Sequence, residues 1–183
     1  MFALFLFLVS GCDVRPDVVG LDGKAVDLLS LPADTARVVI FVRTDCPIAN
    51  RYVPVINRLV AEFEPRGVSF ALVYPSRLER SAGIQQHLSD YSLELSAYRD
   101  PTHRFAAFTG ATITPEAVVF DRDSRMIYRG RIDDQFVDFG KSRPAPTKHD
   151  LKQVLTQLAA GERVSYSNTT AVGCYIETNT PAE

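Results

Sequence analysis

A chain of 183 residues has the length of one ordinary domain, and 46% hydrophobic against 23% charged residues suffices to bury a core. Its 20 basic and 22 acidic residues leave a net charge of −2 with no long block of one sign, which excludes the basic stripe of a nucleic-acid binder. The 10 Gly and 11 Pro are too few for a disordered or fibrous chain.

In chain order, Phe2 to Val9 is an unbroken apolar run, too short to span a bilayer but suited to the apolar core of a signal peptide. Val9-Ser10-Gly11-Cys12 follows, and small residues before a Cys after such a run resemble the lipobox of bacterial lipoproteins. That resemblance implies lipidation at Cys12 and export. Asp13 to Asp34 reads as a tether and a small hairpin turning at Leu21-Asp22-Gly23-Lys24. Arg37 to Arg43 is a continuous, partly β-branched apolar run, the pattern of a strand buried on both faces. Ile48, Tyr52, Ile56, Leu59, Val60 and Phe63 then fall at helical spacing, which predicts a helix to about Pro65 that contains Pro54.

Val68 to Tyr74 predicts a second strand, residues 77 to 90 a helix, and Thr102 to Thr109 a short helix closed by Gly110. Glu116 to Asp121 predicts a third strand, paired with Arg125 to Arg131 across the intervening turn. Lys148 to Ala160 predicts a helix stopped at Gly161, and beyond it the chain is polar except for Ala171 to Ile176. Strands alternating with helices predict an α/β fold with a mixed central β-sheet flanked by helices.

The sharpest local feature is Thr44-Asp45-Cys46-Pro47-Ile48-Ala49-Asn50. Cys46 stands between a buried strand and a helix start, where unpaired N–H groups and the dipole stabilise a thiolate and lower the thiol's pKa. Pro47 suits the first helical turn because no N–H is needed there.

These parts resemble the thioredoxin-like superfamily: the strand Val38–Val42, Cys46 at the helix start, Pro54 eight residues on, and Thr114-Pro115 before Glu116–Asp121, like that family's cis-proline. The longer segment Arg77 to Gly110 resembles its redoxin branch, which includes peroxiredoxins of the alkyl hydroperoxide reductase/thiol-specific antioxidant type and exported thiol–disulfide proteins. The resemblance implies a thioredoxin-like fold, Cys46 as nucleophile, and Pro115 shaping the face where substrate docks. Two departures stand out. Thioredoxin's second Cys would fall at Ala49, and the Thr that peroxiredoxins place three residues before the reactive Cys is here Arg43, with Thr44 one residue too close. Peroxide activation needs placed donors, so that shift weakens the peroxidase expectation.

With Cys12 lipidated, Cys46 and Cys174 remain, 128 positions apart, in a compartment where disulfides persist. Cys174 is then either a resolving cysteine or part of a static disulfide. Thr44, Asn50, Pro115 and Arg131 are the supporting candidates, with Arg43 and Arg131 as sources of positive charge. The alternative is copper delivery of the cytochrome-oxidase-assembly type, which the same fold resembles. Cys46, His103 and Cys174 would then be soft ligands, although the expected second motif Cys is Asn50. His87 and His149 read as solvated, and Asp133-Asp134 as a loop or cap pair.

The sequence thus predicts a leader at 1–12, a tether and hairpin at 13–34, a redoxin domain at 35–162 and a tail at 163–183. The expected activity is thiol–disulfide exchange or peroxide reduction without a cofactor, copper being the alternative. The expected partners are a protein thiol or disulfide, or a peroxide, and a membrane reached through the lipid anchor. The expected location is the cell envelope.

Overall fold

A computed structural model describes residues 15–177. Cys12 and the expected leader lie outside them. The central run does form a doubly buried strand. In β3 (Ala36–Phe41) side chains alternate faces, so Val38 and Ile40 enter one core while Val39 and Phe41 enter the other. β3 runs parallel to β4 (Val68–Tyr74) and antiparallel to β7 (Glu116–Asp121). β7 pairs with β8 (Met126–Gly130) across the turn at Asp121 to Ser124.

Around this centre lie β1 (Val18–Gly20), β2 (Ala25–Val26), β5 (Ser96–Arg99) and β11 (Ser167–Asn168), in the sheet order β11-β8-β7-β3-β4-β5-β1-β2. Two further pairs stand apart: β9 (Phe136–Asp138) with β10 (Lys141–Ser142), and β6 (Ile113–Thr114) with β12 (Cys174–Tyr175).

One face of the sheet is covered by α1 (Pro47–Phe63), α2 (Ser81–Asp90) and α4 (Asp150–Ala159), through Ile56, Leu59, Phe63, Ile84, Leu151 and Leu155. The other face holds α3 (Arg104–Thr109) through Phe105 and Ala106, with Leu28 and Leu29 from a short 3-10 turn. The fold is thioredoxin-like α/β, as the sequence predicts. Pro54 lies inside α1 and cannot donate to the Asn50 carbonyl.

Several boundaries differ from expectation. The β1–β2 hairpin is part of the sheet: β1 pairs with β5 on one side and β2 on the other, which leaves β2 at the edge. β5 itself has no apolar run to announce it. Residues 77–80 are not helical, because Ser76 Oγ accepts the Leu78 N–H and Glu79 is drawn away to the Cys46 turn. Past Gly161 the chain is anchored twice, by β11 in parallel with β8 and by β12 against β6.

Candidate active site around Cys46 and Cys174

β3 and β4 deliver the chain to the site, with Val42 N–H bonded to the Val73 carbonyl. Cys46 caps α1: its Sγ accepts the Ala49 N–H at 3.4 Å, and Pro47 fills the first turn. The same sulfur donates to the Thr114 carbonyl at 3.1 Å. The Thr114–Pro115 bond is cis, so Pro115 stands immediately beyond that contact. Cys46 is fully buried, at 0% exposure.

The tail completes the site. Cys174 lies opposite Thr114 in the β12–β6 register, its carbonyl accepts the Thr114 hydroxyl at 3.3 Å, and Ile176 N–H bonds to the Thr112 carbonyl at 2.9 Å. Gly173 permits this approach, since a Cβ there would overlap the Thr114 carbonyl. Both cysteines are free thiols, and they lie close enough for each to act on the other electrostatically. Cys174 is half-buried. Burial first, and then the neighbouring Cys46, push the Cys174 thiol up to about 12, while Arg43 pulls the other way.

The other candidates fall in different places. Thr44 serves through its backbone: its N–H donates to Glu79 Oε1 and its carbonyl accepts Asn50 Nδ2. Asn50 Oδ1 accepts from His87 Nε2 at 2.9 Å, which puts the imidazole proton on Nε2 and leaves Nδ1 to accept from the Tyr74 hydroxyl at 2.9 Å. His87 is thus buried at 5% exposure, not solvated, and burial lowers its pKa. The sequence signal was its place one helical turn after the buried Ile84.

Of the two expected sources of positive charge, Arg131 is held by Asp150 of α4 at 2.8 Å, while Arg43, itself paired with Asp45, stands by the thiols and reaches the Tyr175 carbonyl. Glu79 was missed. Burial raises its pKa, and its Oε2 is buried with no partner among the described residues. Asp133 and Asp134 do pin loops, accepting the Tyr52 hydroxyl and the Thr147 and Lys148 N–H groups.

The copper set is not assembled: among the described residues no three His, Cys, Asp or Glu side chains are grouped to hold a metal ion. His103 is buried at the start of α3, where its backbone adopts a left-handed φ of 56°. Beside Cys46, a groove of about 620 Å³ is lined by Asp45, Pro47, Ile48, Tyr91, Phe136 and Phe139.

The family model for redoxin matches residues 12–140, which include the Cys46 turn and cis-Pro115. The chain belongs to the redoxin family. Cys174 lies beyond the matched stretch, so its place beside Thr114 and the Cys46 turn is read from the structure. A search of curated proteins returns no match. Among solved structures, an uncharacterized conserved protein from Geobacillus kaustophilus is similar over 92% of both chains, with 24% identity and a TM-score of 0.78. A hypothetical protein from Sinorhizobium meliloti 1021 is 19% identical over 87% of this chain and 88% of its own, with a TM-score of 0.72. A secreted Mycobacterium tuberculosis disulfide oxidoreductase, homologous to DsbE of E. coli, is 20% identical over 80% of this redoxin and 96% of its own chain, with a TM-score of 0.54.

Proposed function

We propose that this redoxin is an exported thiol–disulfide oxidoreductase whose Cys46 and Cys174 cycle between a dithiol and an intramolecular disulfide. The observation that carries the reading is that two free thiols meet at Thr114: Cys46, at a helix start, touches its carbonyl, and Cys174 lies opposite it on a strand held against the cis-proline loop. Cys46 is the nucleophile because Ala49 N–H and the helix dipole favour negative charge on it, while Cys174 holds its proton. Cys46 thiolate attacks one sulfur of a substrate disulfide and releases the other as thiolate. Cys174, losing its proton, then attacks Cys46 Sγ and expels the second substrate thiolate. Two electrons pass to the substrate and the pair becomes a disulfide.

Disulfide exchange is favoured over peroxide reduction because Arg131 is occupied by Asp150 and Thr44 offers backbone groups to the turn. The secreted M. tuberculosis disulfide oxidoreductase supports export. A lipid at Cys12 would be the membrane link. The test is redox titration of the purified chain with mass mapping. A reversible Cys46–Cys174 disulfide is expected, with turnover of a model disulfide abolished in Cys46→Ser. A pair that never links, or full turnover in Cys46→Ser, would overturn the reading.

A further inference from the structure

β6 is held from behind, without help from the tail. Glu116 accepts the Thr112 and Ile113 N–H groups at 2.8 and 3.3 Å, and Arg129, paired with that carboxylate, donates to the Gly110 carbonyl at 2.6 Å. The outer edge of β6 is therefore a standing template for a strand that fits it. The chain's own β12 occupies that edge over two residues only, with Cys174 opposite Thr114, the residue whose carbonyl Cys46 touches. Cys46 is fully buried while β12 is in place, so a disulfide substrate needs β12 to leave. The seat reads its occupant at three positions. Before the cysteine stands Gly173, where any Cβ would overlap the Thr114 carbonyl. After it stands Tyr175, 77% exposed and so unrestricted in its side chain, with its carbonyl accepting from Arg43 Nη1 at 3.5 Å. Two after it stands Ile176, whose N–H bonds to the Thr112 carbonyl and whose side chain is buried in the core that holds Phe105 and Val118.

Building on the dithiol–disulfide reading, we propose that the β6 edge selects extended polypeptide disulfides in which Gly precedes the half-cystine and an apolar residue stands two after it, and that β12 is the built-in occupant such a strand displaces. The substrate strand takes the register of β12, which sets its half-cystine opposite Thr114, in the place of Cys174. Cys46 thiolate bonds to that sulfur, and the other sulfur of the substrate disulfide leaves as thiolate. β12 and the docked strand cannot share one edge, so the return of the tail both peels the product away and brings Cys174 to Cys46. Cys174 gives up its proton to solvent, bonds to Cys46 Sγ and expels the docked sulfur as thiolate. The substrate has gained two electrons and the cysteine pair has lost them. Because the tail is part of the same chain, it competes at high effective concentration, and a substrate strand must match all three positions to displace it.

The test uses full-length reduced protein, as wild type and as Cys174→Ser, which stops at the mixed disulfide. The probe is the peptide Val-Gly-Cys-Tyr-Ile with its cysteine linked to thionitrobenzoate, whose release as a coloured thiolate follows attack on the peptide sulfur. Peptides with Ala in place of the Gly, or Gln in place of the Ile, are compared. Each rate is corrected for the Cys46→Ser, Cys174→Ser double variant and divided by the rate of the same peptide with glutathione. Each change is expected to slow the reaction at Cys46 by about tenfold in both proteins, through lost backbone bonds or an emptied apolar seat. In the Cys174→Ser adduct of the parent peptide, the Ile176 amide should exchange its hydrogen faster than in the glutathione adduct, since β12 has left Thr112. Equal relative rates for the three peptides, or unchanged exchange at Ile176, would overturn the inference while leaving Cys46 as the nucleophile. No reaction at Cys46 with any peptide would overturn the dithiol–disulfide reading itself.

Discussion

The Asn50 side chain reaches in two directions, holding the Thr44 carbonyl with its amide and the His87 ring with its oxygen. Behind His87 stands the buried Tyr74 hydroxyl, so three side chains tie the Cys46 turn to β4 and α2. His87→Phe leaves the Tyr74 hydroxyl and Asn50 Oδ1 without that partner, and we expect a loss of about 1–3 kcal/mol in urea unfolding. Burial lowers the His87 pKa, so the unfolded chain binds this proton more readily. The stability that the neutral ring contributes is present above the unfolded value of about 6.5 and is lost as pH falls through the lowered folded value. Wild type is therefore expected to lose part of its urea midpoint on acidification from neutral pH, and His87→Phe to lack that part. Equal slopes in both would remove His87 as the cause. Cys46 was legible in the sequence because a Cys followed by Pro between an apolar run and a helical stripe has few other uses. His87 was not, since its value depends on Asn50 and Tyr74, which only the folded chain brings to it.

At the level of elements, β3, β4 and β7 could be read from the chain because burial on both faces leaves a continuous apolar run, and they emerge close to their predicted bounds. β5, β6, β11 and β12 could not, because strands of two to four residues are held by their neighbours' hydrogen bonds and carry little pattern of their own. β12 matters most, since it brings Cys174 to β6. In a Cys174→Ser background, Gly173→Val sets a side chain against the Thr114 carbonyl and should drive β12 off β6. Losing one or two hydrogen bonds is expected to raise the alkylation rate of Cys46 by about tenfold. An unchanged rate, with circular dichroism showing the fold retained, would mean that β12 is not the cover over Cys46.

Across the whole molecule, a Cys46–Cys174 bond would close a loop of 128 positions that includes most of the sheet. On the chain-entropy account, a loop of this length stabilises the folded state by about 4–5 kcal/mol. We expect the oxidised protein to melt on the order of 10 °C above the reduced one, with no such gap in Cys174→Ser. Equal melting temperatures in wild type would show that the bond strains the native state by as much as it restrains the unfolded one. The long separation has another consequence, one of timing. Cys46 belongs to the early half of the chain, and β12 is the last strand among the described residues. A chain delivered N-terminus first presents Cys46 well before its partner exists. At about 5–20 residues per second, that interval is roughly 6–25 s. During it, the Cys46 sulfur has neither its internal partner nor its cover, so a foreign thiol or oxidant can capture it. The yield of correctly paired protein is then set by whatever guards a single nascent sulfur until the tail arrives.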